Sequence, residues 1–288
     1  MKYNKAPILI VGMHRSGTSM LTRKLEELGL FLGAEKDEND EAIFFRRINE
    51  WLLNQVNASW NNPKKFNYID DFFVGQMIPI VQYYLSSKSN ESYFGKEVGF
   101  QFENIDFDWG WKDPRNTFTI KFWKMIFPNM KVIHIYRNPI DVAESLKVRE
   151  LKRNKNLKSN FGLSDKIKLR YKPNLFFSKN YYQNTVEFKD LSEGIKLWEI
   201  YTEAAFSLTE EFNIIHVKYE DLLEEPKKTI EDLSEFIGLD IKSQNLGRYY
   251  DSFDKSRMYA FKNNADLINV YEEFKSQDIM VKLGYSEL

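Results

Sequence analysis

The sequence predicts an α/β fold: a three-layer arrangement with a mostly parallel sheet flanked by helices. Three observations predict it. Short, nearly continuous apolar runs at Ile8–Val11, Lys131–Tyr136 and Asn213–Val217 have the character of strands buried on both faces of a parallel sheet. Each run is followed by residues of helical spacing. The junctions carry turn or helix-start residues: Gly12 and Gly17 after the first, Pro139 after the second, Pro226 after the third. Strands alternating with helices imply a sheet covered on both faces, and such sheets bind ligands beyond the carboxyl ends of their strands.

The first run leads into G-M-H-R-S-G-T-S, and from about Thr18 the apolar positions Met20, Leu21, Leu25 and Leu28 mark a helix. A tight strand-to-helix turn aims backbone N–H groups and the positive end of a helix dipole at one point, where an anion can sit. The spacing matches the nucleotide loop G-x-x-x-x-G-K-[ST] of a P-loop NTPase-like fold at Gly12, Gly17 and Ser19. Thr18 stands where that loop has lysine, and the cation has moved inside, to Arg15.

The remaining elements follow in order. Gly29–Gly33 turns into an acidic loop, Glu35–Glu41, before an amphipathic helix over Ala42–Val56. Trp60–Lys65 is a polar turn, Phe72–Leu85 is helical, and Ser86–Ser92 connects. Phe107–Trp111 is a strand that ends in Lys112-Asp113-Pro114-Arg115, and Thr117–Ile126 is a helix. Pro139 opens the next helix, which carries Val142, Ser145, Leu146 and Val148. Basic residues crowd the following stretch, giving an insertion or lid at about 147–180 that is expected to order over ligand. Phe188–Thr209 is a long helix containing Trp198, and a helix from Pro226 to about Phe236 follows the last strand. The whole, 1–288, reads as one domain with an aromatic, charged C-terminal tail at about 245–288.

Composition narrows the function. A net charge of -1 gives no support to a nucleic-acid or membrane-surface role. The absence of cysteine excludes disulfides and thiolate metal sites. No run of about 18 apolar residues occurs, and M-K-Y-N-K-A-P leads straight into the first strand. Neither membrane insertion nor a secretory signal is expected, and a cytoplasmic location is.

Arg15, Lys112 and Arg137 each sit at or just after a strand end, so they should converge on one rim. An enzyme of Mg²⁺-nucleoside triphosphates uses the loop lysine and an acid at a core strand end; here the first is missing and Arg137 occupies the second place. An arginine there suits a phosphate directly. The expected ligand is therefore an anionic donor that needs no metal, and a phosphosulfate meets that requirement.

At this point the residues resemble a known family, the sulfotransferases that use 3′-phosphoadenosine 5′-phosphosulfate (PAPS). G-M-H-R-S-G-T-S is similar to that family's 5′-phosphosulfate loop, and V-I-H-I-Y-R-N-P-I-D-V-A-E-S to its 3′-phosphate motif. W-K-D-P-R and K-Y-E-D-L also recur in its bacterial and protein-tyrosine branches, and the similarity runs over about residues 7–240. The resemblance implies that Arg15, Ser16, Gly17, Thr18 and Ser19 cradle the 5′-phosphosulfate, and that Arg137 and Ser145 hold the 3′-phosphate. It implies that Lys112 neutralises charge on the departing bridging oxygen, with no metal. It also implies a general base near the start of the second helix. Glu41 fits that place best by distance, with Glu38 and Asp40 as rivals. His14 either touches the acceptor or packs the loop. The product is adenosine 3′,5′-bisphosphate (PAP), and the acceptor a carbohydrate or other small hydroxylated molecule.

Other readings stand beside this one. An ATP/Mg²⁺-dependent small-molecule kinase would use the same fold, and so would a non-catalytic nucleotide-binding module. Asp113 is expected to partner Arg115 or a loop N–H. His134 and His216 are expected to be core histidines, and Trp198 a core residue before an adenine neighbour. Tyr219, Glu220 and Asp221 are expected to shape a turn, with Tyr219 alternatively bordering adenine.

Overall fold

The computed structural model describes residues 3–96, 101–160, 170–171, 186–241 and 246–288. Four strands form one parallel sheet in the order β2–β1–β3–β4, with β1 Ile8–Val11, β2 Gly110–Lys112, β3 Lys131–Tyr136 and β4 Asn213–Lys218. Among the helices, those used below are α1 Thr18–Glu27, α2 Ile43–Asn54, α3 Asp71–Ser86, α4 Asn116–Ile126, α5 Pro139–Asn160, α6 Leu191–Phe206, α7 Tyr219–Glu224, α8 Pro226–Ile237 and α9 Ala265–Phe274. The expected α/β class is the one found, and element boundaries agree to within a few residues. The exception is β2, which keeps only the last part of the expected Phe107–Trp111 run plus Lys112.

The period-two alternation of each strand divides the core in two. Leu9, Val11, Trp111 and Val132 point to the face covered by α2, α3 and α4. Ile8, Ile10, Ile133, Ile135 and Val217 point to the face covered by α1, α7 and α8. The register that pairs Leu9 with both Trp111 and Val132 explains why these residues share a face. Each fully buried aliphatic side chain contributes about 1.5–3 kcal/mol. The first face is mostly aromatic: the Phe45 ring stacks on Trp111 with centroids 3.8 Å apart, and Trp123 meets Trp111 edge-on at 5.0 Å. The high aromatic content is thus largely core packing.

The chain divides into two units, Met1–Arg137 with Ile200–Ala260, and Asn138–Glu199 with Phe261–Leu288. The first contains the whole sheet. In the second, Asn138 caps the start of α5 by accepting from the Ile140 N–H, and Asp141 accepts from the Phe261 N–H. Residues 147–160 continue α5 as helix, while 161–169 and 172–180 of the expected lid lie outside the described residues. The expected tail is folded: Phe253 joins the second core face, and Phe261 and Tyr271 pack together in the second unit. Trp198 is buried, as expected. No helix among the described residues is long and apolar enough to cross a membrane.

Candidate active site

Because the sheet is parallel, the residues that follow its strands share one edge. Arg15 follows β1, Lys112 ends β2, Arg137 follows β3 and Tyr219 follows β4.

The β1–α1 turn is held open by its glycines. Gly12 has φ +136°, and a Cβ on it would lie 2.2 Å from the Ile135 carbonyl oxygen. Gly17 has φ +96°, and its Cβ would lie 2.3 Å from the Tyr219 ring. Both positions therefore accept only glycine. The same Tyr219 ring carries the Arg137 guanidinium at 4.6 Å, a cation–π contact that ties the β3 end to the loop. Tyr219 itself opens the helix after β4, and its ring also backs the β1–α1 turn.

Helix α1 begins at Gly17 with no side-chain cap and no acidic residue in its first turn, which leaves the positive end of its dipole uncompensated. Ser16 is fully buried and its hydroxyl has no hydrogen-bond partner. An uncapped helix start beside an orphaned hydroxyl, inside a glycine-shaped turn, fits a phosphate or phosphosulfate group. Arg15 is exposed with φ +74°, Thr18 is buried and donates nothing to a cap, and Ser19 donates to the Asn39 carbonyl. Lys112 donates to the same carbonyl, and Arg137 donates to the carbonyl of Arg257. Ser145 is half-buried on α5 in the second unit.

The acidic loop delivers one carboxylate to this edge. Asp37 organises the loop, accepting from the N–H groups of Asn39 and Glu41 at 2.9 Å each. Glu38 is exposed, and Asp40 pairs with the exposed Arg23 at 2.6 Å. Glu41 instead turns inward and is only 2% exposed. Its Oε2 accepts from Arg115 at 2.8 Å; its Oε1 has no hydrogen bond and lies 3.6 Å from the Lys112 amine and 3.9 Å from His14 Nδ1. His14 is buried and meets the Trp60 ring edge-on at 4.7 Å.

Burial pushes the Glu41 carboxyl above the usual range; Asp113 adds to the rise, while Lys112 and Arg115 pull against it. Burial likewise lowers the Lys112 amine, against the pull of Glu41 and three aspartates. For Arg115 burial also opposes the charge, but Asp113, Glu41 and Glu50 outweigh it and the guanidinium stays charged.

Behind this group a polar chain runs from Arg115 through Asp113 to Asn49. Asp113 accepts from the Arg115 side chain and backbone N–H at 2.9 Å, as expected of its pairing. Its other oxygen accepts from Asn49 at 2.8 Å. Asn49, wholly buried on α2, also donates to Asn116 and accepts from Thr119 and the Trp123 indole. Its signal in the sequence was an amide set into the apolar stripe of Phe45, Ile48 and Leu52. Among the described residues, no group of three or more His, Asp or Glu side chains is arranged to hold a metal ion.

A family model described as the Sulfotransferase family matches residues 7–243. Among solved structures, the chain is similar to the sulfotransferase from Alicyclobacillus acidocaldarius, with 15% identity, 98% of this chain and 94% of that chain covered, and a TM-score of 0.48. It is similar also to the sulfotransferase domain from the curacin biosynthetic pathway, with 12% identity, 96% and 99% coverage, and a TM-score of 0.47. A third is the sulfotransferase domain from the Synechococcus PCC 7002 olefin synthase, with 16% identity, 89% and 83% coverage, and a TM-score of 0.44. No protein of curated function matches the chain.

Proposed function

The chain belongs to the sulfotransferase family, and on that premise we propose that it moves a sulfuryl group from PAPS to a hydroxyl of a carbohydrate or other small acceptor, releasing PAP. The donor, when bound, supplies the sulfuryl group and its phosphate leaving group. Ser16, Gly17, Thr18 and Ser19 bind the 5′-phosphosulfate at the uncapped start of α1, with Arg15 adding charge from the loop. Arg137 binds the 3′-phosphate, held in orientation by the Tyr219 ring. Ser145 is assigned to that phosphate by its motif alone.

Lys112 offsets the negative charge that develops on the bridging oxygen as the S–O bond breaks. Glu41 Oε1 takes the proton from the acceptor hydroxyl as the new O–S bond forms. Arg115 occupies the other carboxylate oxygen, so a single oxygen faces Lys112 and His14. His14, packed against Trp60 and 3.9 Å from Glu41, is assigned either to the acceptor or to packing of the loop. The reaction on this reading uses no metal, and its setting is the cytoplasm. The observation that carries the reading is one buried carboxylate with an uncommitted oxygen, 3.6 Å from a buried lysine at the edge where the anion loop opens.

Calorimetry of PAP and ATP, each with and without Mg²⁺, tests it. The expected result is PAP binding without metal, weakened about 10- to 100-fold by Arg137→Ala because a charge-assisted contact to phosphate is lost. Equal PAP affinity in that variant removes the 3′-phosphate assignment. ATP binding that depends on Mg²⁺ points to the kinase, and PAP binding without transfer to any hydroxylated acceptor points to a non-catalytic module.

A further inference from the structure

Helix α3 is apolar on both sides. Val74, Met77, Val81 and Leu85 face inward and join the first core face. The opposite side leaves Phe72 69%, Phe73 59%, Ile80 54% and Tyr83 76% exposed, with Tyr68 just before the helix 87% exposed. No charged residue occurs between Asp71 and Lys88. Scattered exposed apolar residues are ordinary on a protein surface, whereas a contiguous uncharged patch marks an interaction site. The patch is relieved by Gly75, where an added Cβ would meet nothing outside its own helix within 4 Å, and by the exposed Pro79. A second helix can therefore approach closely there.

We propose that this face is a docking surface for a second copy of the same chain, with the two α3 helices packed antiparallel about a two-fold axis near Pro79 and Ile80. Two features favour that occupant. The first is area. Large aromatic side chains present about 150–250 Å² each. At these exposures the patch offers roughly 600 Å² per copy and about 1,200 Å² per pair, which reaches the size of a stable specific interface.

The second feature is charge. Asp71 is exposed at the N-terminal end of α3, and Lys88 is exposed just beyond its C-terminal end. Antiparallel pairing sets each Asp71 against Lys88 of the second copy; parallel pairing would set like against like. The outer residues repeat the pattern, since Lys64 and Lys65 precede the helix and Glu91 follows it, all exposed. The same register places Gln76 opposite Tyr83, giving the amide a hydroxyl partner inside an otherwise apolar contact. An isologous arrangement of this kind closes on itself and leaves no free copy of the patch.

Sedimentation velocity from low to high micromolar concentration tests the proposal, with light scattering to fix the mass. The expected species is a dimer of the 34.3 kDa chain. Phe72→Glu and Tyr83→Glu, at exposed positions, are expected to raise the dissociation constant about 100-fold or more by placing charge in the apolar contact. Their circular dichroism and melting temperature should stay unchanged. Asp71→Lys and Lys88→Asp are each expected to raise the constant about tenfold, and the double variant to restore it. A wild-type chain that stays monomeric throughout overturns the proposal, as does a dimer indifferent to Tyr83→Glu. A charge swap without mutual rescue overturns the antiparallel arrangement. A monomer that floats with phosphatidylcholine vesicles overturns the dimer and gives the face to a lipid surface.

Discussion

Glu41 and Arg115 are 74 residues apart in the chain and 2.8 Å apart in the fold, both almost wholly out of water. Burial pushes the titration of this carboxyl upward, and the arginine is one of the two cations that pull it back. The guanidinium thus does two things: it pulls against the burial that raises the Glu41 carboxyl, and it occupies Oε2 so that Oε1 is the oxygen without a hydrogen bond.

Arg115→Met removes an influence that lowers the Glu41 pKa, so the carboxyl should titrate higher still. A base must be ionised to accept a proton, so the acid limb of kcat/KM for sulfate transfer should move to higher pH. Arg115→Lys, which keeps the charge, should recover most of the shift. The readout is a pH profile with PAPS and the best acceptor of a carbohydrate panel; an unmoved limb in Arg115→Met would remove this role.

Glu41→Gln keeps the size of the side chain and abolishes the proton acceptor. PAP affinity should be retained, while turnover falls about 10²- to 10⁴-fold, the usual range for general acid–base catalysis. Calorimetry beside a transfer assay separates the two. Full activity in this variant would transfer the role to Glu38 or Asp40.

Gly17→Ala combines a left-handed φ with a Cβ only 2.3 Å from the Tyr219 ring. The expected cost is about 1–3 kcal/mol, seen as a lower melting temperature, together with weakened PAP binding because the ring also carries Arg137. A variant with unchanged stability and affinity would show that the loop does not need this shape.

His134 and His216 face each other across β3 and β4 with their Nδ1 atoms 2.8 Å apart, so one donates and the other accepts. Burial lowers both, His134 well below its ordinary value with His216 adding to the effect, and His216 from 6.5 to about 4. The unfolded chain therefore binds more protons than the folded one between those values. Stability should fall as pH drops from about 6.5 toward about 4. Urea midpoints at pH 7.5 and 5 measure this, and His216→Gln should flatten the difference; an equally steep loss in that variant would point to other groups.

The parts of the fold that are legible in the sequence are those set by local pattern. The apolar runs of β1, β3 and β4 and the glycines of the first turn need no knowledge of their neighbours to be read. Strand β2 was blurred because its three residues sit in a longer aromatic stretch whose other members pack as core. At the site, the sequence points to Arg15, Lys112 and Arg137 through their places after strands, and to Glu41 through distance along the chain. It does not reveal that Arg115 reaches Glu41 as well as Asp113, because that contact depends on where the acidic loop lands. Asn49 is not singled out for a similar reason: its partners Asp113, Asn116, Thr119 and Trp123 all lie on α4 or the turn before it, more than sixty residues along the chain. The outward side of α3 was hidden by the uniform apolarity of F-F-V-G-Q-M-I-P-I-V-Q-Y-Y-L, which has the pattern of a helix enclosed on all sides.

Strand β1 lies in the interior of the sheet, with β2 on one side and β3 on the other. It leaves the ribosome about a hundred residues before its partners, which begin at Gly110 and Lys131. At roughly 5–20 residues per second, that is a wait of several seconds or more. The wall behind Gly17, Tyr219, emerges later again. A strand made well before its partners is therefore completed only after they arrive, and until then the nascent chain carries an unshielded apolar strand.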